Sequence, residues 1–267
     1  MTRSVERFAK TAQADSPVCY EQPLTERMRT FLRLEYLYKQ LLFHIEEESQ
    51  WASHAAITSL LDIIAILNRG DMRSDIMKEL ERQISVFDRY QDMPHVNASR
   101  LDGVLRNLQV LRKDIASMGP QHLSPVRENE FLNAIKYRSA IHGGTCEFDL
   151  PDYSHWLRKS YEHRLNDFRF WMKNLRPLCD SVAELLWLLR SSGQSEDLVA
   201  EKGAFQQSLG RGFSTGLIRI NLAVGSELYP EISGGHHRFN VRFMEWSDVK
   251  MRAVQTDQDV EFELMIC

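Results

Sequence analysis

Apolar residues recur at every third or fourth position from Leu24 to Leu189, then at every second position in runs from Leu217 onward. The first spacing marks one face of a helix and the second marks one face of a strand. Neither pattern sits comfortably in the other structure, so the chain must divide its labour along its length. Segregation of this kind predicts an α+β class: an N-terminal helical bundle domain followed by an antiparallel β-strand domain.

The helical spacing predicts a first helix from Leu24 to about Glu46, with Met28, Phe31, Leu34, Leu37 and Leu41 on its buried stripe. A second runs from Trp51 to Leu67 and stops at Arg69-Gly70. Asp71 caps a third, which buries Ile76, Leu80, Ile84 and Phe87 and breaks at Pro94. A fourth spans Leu101 to Ile115 and a fifth about Arg127 to Ile141. The long helical pattern from Tyr161 to Leu189 is expected to kink or split at Pro177. Between these, Cys146 to Leu150 alternates before Pro151 and reads as a short strand near 145–150 that joins the β domain. The Gly- and Ser-rich stretch from Ser191 to Gly216 reads as a connection or hairpin, and Leu217–Val224, Phe239–Phe243 and Val260–Ile266 read as strands with one buried face. The expected domains are a loose leader over 1–17, a mainly helical domain over 18–192 and an antiparallel β domain over 193–267.

A formal net charge of -4 opposes a general nucleic-acid binder, because phosphate affinity needs a basic surface. By inspection no apolar run approaches bilayer length, the densest being Leu185–Leu189, and Met1–Ser4 opens no secretory signal. Cys19, Cys146, Cys179 and Cys267 show no C-x-x-C spacing, which fits a reducing cytoplasm better than a disulfide framework or zinc knot.

Basic character is therefore local, and it falls on arginines. On a helix, Arg29 and Arg33 lie one turn apart, away from the apolar stripe. On strands, Arg238 and Arg242 share the non-core face, and Arg219 opposes Ile218 and Ile220, so the three stand on two strands read as neighbours. Arg69 and Arg73 flank Gly70 at a helix junction and are expected to face one cleft. Arginine keeps its charge and offers a planar fork to carboxylates, so such a set suits an anionic partner. The competing structural reading pairs Glu261 and Glu263 with Arg238 or Arg242 across strands, and Arg33 with Glu26 or neighbours of Glu35, leaving ordinary surface ion pairs.

Signatures of chemistry are missing. There is no G-x-S-x-G, no H-E-x-x-H and no Cys/His nucleophile pair. His142-Gly143-Gly144 lacks the Lys-Ser/Thr of a phosphate loop, and His236-His237 point apart on extended chain without further ligands at a suitable offset. His155 near Asp152 stands alone. No catalytic residue, metal ligand or cofactor is expected. The rival reading is a metal- or nucleotide-dependent cytoplasmic enzyme using His142, His155, His236 or His237.

The run Tyr20 to Glu35 resembles the start of the bacterial cell division protein ZapD family. So do Arg69-Gly70 with Arg73 and Lys78-Glu79-Leu80, Gly143-Gly144-x-Cys146-x-Phe148-Asp149-Leu150-Pro151, and Leu228-Tyr229-Pro230-x-Ile232-Ser233-Gly234 followed by Arg238-Phe239-x-x-Arg242-Phe243-Met244. The leader is longer than the family's usual start, and Ser191–Gly216 matches poorly. The resemblance implies a dimeric, non-enzymatic cytoplasmic protein at mid-cell that binds the C-terminal tail of FtsZ in a basic pocket and bundles its filaments. Carried over by motif, Arg29, Arg33, Arg69, Arg238 and Arg242 are the pocket candidates, with Arg73 and Arg219 as neighbours and Arg127 as a further position.

Overall fold

In the computed structural model the described residues are 17–69, 71–91, 97–210, 216–235 and 237–267. The expected leader lies outside them except for Pro17, as do Pro94 and His236. The chain forms two compact units, one of Arg33–Leu185 and one that joins the chain up to Leu32 with Leu186–Cys267.

The helical unit contains most of α1 (Glu26–Ile45), then α2 (Gln50–Leu67), α3 (Met72–Arg89), α4 (Ala98–Ser117), the short α5 (Ser124–Arg127), α6 (Glu130–Ser139), α7 (Pro151–Leu157), α8 (Tyr161–Met172) and the first part of α9 (Arg176–Ser192). Their starts follow from side-chain caps. Ser49 accepts from Trp51 N–H, Asp71 from Ser74 N–H, Asn97 from Arg100 N–H and Asn129 from Leu132 N–H, each satisfying a backbone donor that the first turn leaves open. α2 buries Ala56, Ile57, Leu60, Ile63, Ile64 and Leu67. This helix is long and apolar enough to cross a membrane by length and composition alone, although no apolar run of that length was expected from the sequence. Its buried apolar residues serve the core of the unit, while Trp51 is exposed.

Two polar devices fix this unit. Arg164 is buried and donates to Ser53 Oγ (2.9 Å), Leu157 O (3.0 Å), Lys159 O and Glu48 O, tying the α1–α2 connection to the α7–α8 connection. An aromatic cluster of Phe131, Tyr153, Trp156, Phe168 and Trp171 packs between α6, α7 and α8. His54 Nδ1 meets the Tyr153 hydroxyl at 2.9 Å, and burial holds its pKa below the usual histidine value.

The sheet unit is all antiparallel. β1 (Val18–Pro23), β4 (Leu217–Leu222), β8 (Val260–Ile266) and β2 (Gln194–Ala200) form one sheet in the order β1-β4-β8-β2. β3 (Ala204–Ser208), β6 (Arg238–Glu245) and β5 (Leu228–Gly234) form the second, with the short β7 (Val254–Gln255) on β6. The inward residues of both sheets make one core: Ile218, Ile220 and Leu222 meet Phe239, Val241 and Phe243, with Val260, Phe262 and Leu264 alongside. β2 and β3 turn through Lys202 and Gly203, both at positive φ, the twist that a two-residue hairpin requires.

Most expected elements form, and the differences have causes. The Tyr161–Leu189 pattern divides into α8 and α9, and Pro177 falls in the first turn of α9, where its missing N–H costs nothing. Residues 145–150 are turns rather than a strand. Cys146 N–H bonds Gly143 O (3.0 Å) and Leu150 N–H bonds Cys146 O (2.9 Å), so the backbone satisfies itself locally. A Cβ on Gly144 would sit 2.4 Å from Arg138 O, which makes this tight return specific to glycine. Val18–Pro23, assigned by sequence to the helical domain, is a strand of the sheet unit. None of its residues is fully buried, so it lacks the alternation that reveals a strand. β5 shows no alternation in its sequence either, Pro230 being its one buried residue.

Candidate functional site

Arg29 and Arg33 stand one turn apart on α1, and the acids around them decide what they can do. Glu26 Oε1 takes Arg29 Nε at 3.2 Å, and Glu35 Oε2 takes Lys39 Nζ at 3.1 Å. Glu26, named as an alternative for Arg33, is thus engaged elsewhere, as is Glu35. Arg33 is exposed and has no ion pair among the described residues.

In the helical unit Arg69 is exposed just beyond α2, likewise without a carboxylate among the described residues. Arg73 behaves differently. Its Nε donates to Ile115 O and its Nη2 to Ala116 O, both at 3.1 Å, closing carbonyls that the end of α4 leaves open. Arg73 lines a recess of about 330 Å³ together with Asp71, His122 and Arg127, with Met72 and Met118 on its walls, and Arg69 is not part of that lining.

In the sheet unit Arg238 and Arg242 share the outer face of β6. Arg242 Nη2 meets Glu231 Oε2 of β5 at 2.8 Å, with both side chains exposed, and Arg238 has no carboxylate among the described residues. Arg219 does not join them. β4 and β6 belong to different sheets with the core between, so Arg219 occupies the outer face of the opposite sheet. There its Nε meets Glu21 Oε1 at 3.0 Å and its Nη1 meets Met265 Sδ at 3.4 Å. Arg190, from the last turn of α9, grips the same Glu21 through two bonds of 2.7 Å. Burial pushes the nearby Cys267 thiol up to about 11, so it is no ready nucleophile. The expected pairing of Glu261 or Glu263 with Arg238 or Arg242 does not occur. Glu263 accepts from Asn221 at 2.6 Å, and hydrogen bonds from Asn221 and Ser195 hold its pKa below the usual glutamate value.

Three groups of residues were missed from sequence. Glu21 and Arg190 required the unseen β1. Half-buried Asp180 accepts from the Tyr38 hydroxyl at 3.0 Å, and its partial burial raises its pKa. Tyr36 and Phe43 are large aromatics on the exposed side of α1, a departure from the polar pattern that was legible in principle. His142, His155 and His237 are exposed, and among the described residues no group of three or more His, Cys, Asp or Glu is placed to hold a metal ion.

The family model for cell division protein ZapD matches residues 32–242. Over 250 residues the chain is 40% identical to a cell division protein ZapD of Chromobacterium violaceum, covering 94% of this chain and 99% of that protein. A protein of the same name from Janthinobacterium sp. (strain Marseille) is 38% identical over 253 residues, covering 94% of this chain and 99% of its own. One from Dechloromonas aromatica is 35% identical over 250 residues, with the same two coverages.

Proposed function

The chain belongs to the ZapD family of cell division proteins, and from that premise we propose that it binds the C-terminal tail of FtsZ through exposed arginines. As a homodimer it would cross-link and bundle FtsZ filaments in the cytoplasm, at mid-cell, and so stabilise the division ring. The observation that carries this reading is that Arg33, Arg69 and Arg238 present guanidinium groups with no carboxylate partner among the described residues. Arg29 and Arg242 belong to the same set. Each has only a solvent-exposed ion pair, which contributes little and which an incoming carboxylate can replace. Arg73 and Arg219 are secondary candidates: their side chains are already engaged within the fold, so substitution there also disturbs it.

A short tail that orders on binding forfeits conformational entropy, so each contact is weak alone. Two sites in one dimer facing many tails on a filament raise the effective concentration, and avidity follows without new contacts. The relatives' names lend nothing to the enzymatic reading.

Co-sedimentation with polymerised FtsZ tests the proposal. Arg33→Glu, Arg69→Glu, Arg238→Glu and Arg242→Glu each should abolish bundling while leaving the circular dichroism spectrum unchanged. Unimpaired pelleting by all four rejects it. Bundling should also weaken as salt rises, because exposed charges more than about 8 Å apart are screened at physiological ionic strength. Salt-insensitive pelleting would mean that charge is not what holds the tail.

A further inference from the structure

We infer that the exposed side of α1 beyond Arg33 continues the tail-binding surface, with Tyr36 and Phe43 receiving apolar side chains of the same peptide that Arg33 holds by a carboxylate. The inference rests on the tail-binding reading and adds what the peptide lies against and in which direction.

Positions 33, 36, 40 and 43 advance by three, four and three residues, the spacing that keeps side chains in one line along a helix. Tyr36 is 61% exposed and Phe43 58% exposed, where the rest of this amphipathic helix places polar groups. Both rings are restrained. The Tyr36 hydroxyl accepts from Gln40 Nε2 at 3.0 Å, and Phe43 lies edge-on to His44 with ring centroids 5.3 Å apart. A restrained aromatic loses little freedom on binding, which is the property of an anchor residue.

Charge sets the direction. Arg33 lies towards the N-terminal half of α1, and the exposed run Glu46-Glu47-Glu48 follows its C-terminal end. The other charges nearby are paired, Glu35 with Lys39 and Glu26 with Arg29. A carboxylate is therefore drawn to Arg33 and repelled from the glutamate run, in the same sense as the helix dipole. The occupant this selects is a short peptide whose acidic residues sit over Arg33 and whose apolar residues follow about 5 and 15 Å further along α1.

Fluorescence anisotropy of a labelled FtsZ tail peptide with the full chain decides the matter. Tyr36→Ala and Phe43→Ala should each weaken binding about five- to tenfold, with unchanged circular dichroism and unchanged mass by light scattering. A peptide with acidic and apolar halves exchanged should bind the native chain poorly and recover on a Glu46→Lys, Glu47→Lys, Glu48→Lys variant. If Arg33→Glu loses binding while both aromatic variants bind as the native chain does, the extension along α1 is wrong and the tail reading stands. If Arg33→Glu, Arg69→Glu and Arg238→Glu all bind normally, the tail reading itself falls. If the aromatic variants change the mass in solution, the surface serves self-association and the inference is overturned.

Discussion

On the outer face of the β1-β4-β8-β2 sheet, Arg219 and Arg190 close on the single carboxylate of Glu21, whereas on the outer face of the β3-β6-β5 sheet Arg238 meets no carboxylate among the described residues and Arg242 only an exposed one. Side-chain alternation puts the arginines of both faces away from the core and cannot tell them apart. What separates them is cover. The last turn of α9 lies over the first face and brings Arg190 with it, leaving Arg219 and Arg190 each 19% exposed, while Arg242 is 60% exposed. Under cover, two cations on one anion act as structure. In the open, the same residue type remains free to meet a partner.

The sharpest way to break this contrast is Glu21→Gln. It keeps the shape and one acceptor but leaves two half-buried guanidinium groups facing each other, and it should destabilise the chain by about 2 kcal/mol in urea unfolding. Adding Arg219→Gln should recover part of that loss, because the two sites share one interaction and their effects do not add. If Glu21→Gln unfolds at the native midpoint, the covered face holds no structural ion pair and the comparison collapses.

The sequence revealed the classes of element well and their partners badly. Helices with a regular apolar stripe, such as α2 and α4, announce themselves by spacing, and Asp71 was legible as a cap because capping is a local event. β1 was not, since of its residues only Tyr20 packs against the sheet core. Losing β1 hid Glu21, and with it the reason why Arg219 is engaged. The strand expected at 145–150 failed because five alternating residues fit a turn equally well when glycine precedes them. Arg238 and Arg242 were placed on the correct face by period alone, but the separation of β4 and β6 into different sheets depends on strand order, which no local pattern encodes.

A carboxylate of the helical unit gives the opposite sign and a smaller effect. Asp180 is held above the usual aspartate pKa chiefly by burial, with the Tyr38 hydroxyl and Arg176 only partly compensating. The folded chain therefore binds this proton more tightly than the unfolded one. As pH rises past the unfolded value of about 3.9, the unfolded state releases its proton first, so stability falls and stays lower above the folded pKa. Asp180→Asn keeps an acceptor for Tyr38 and removes the half-buried charge. It should stabilise the chain by about 1 kcal/mol at pH 7, and the gain should vanish in strongly acidic solution. An Asn variant that is less stable at every pH would show that the charge is held by its neighbours, as Glu21 is.

The smallest effect belongs to the open face. Glu231→Ala removes the carboxylate that Arg242 meets among the described residues, yet both groups are well exposed, so Coulomb attraction is screened and the side chains forfeit entropy to meet. Its cost in urea unfolding should stay below about 0.5 kcal/mol, against about 2 kcal/mol for Glu21→Gln. The same change frees the Arg242 guanidinium and removes a competing carboxylate beside it. Binding of the FtsZ tail should therefore hold or improve slightly while stability hardly moves. A large loss of stability would mean that the β5–β6 pair depends on this bridge, and Arg242 would then be structural on its face just as Arg219 is on the other.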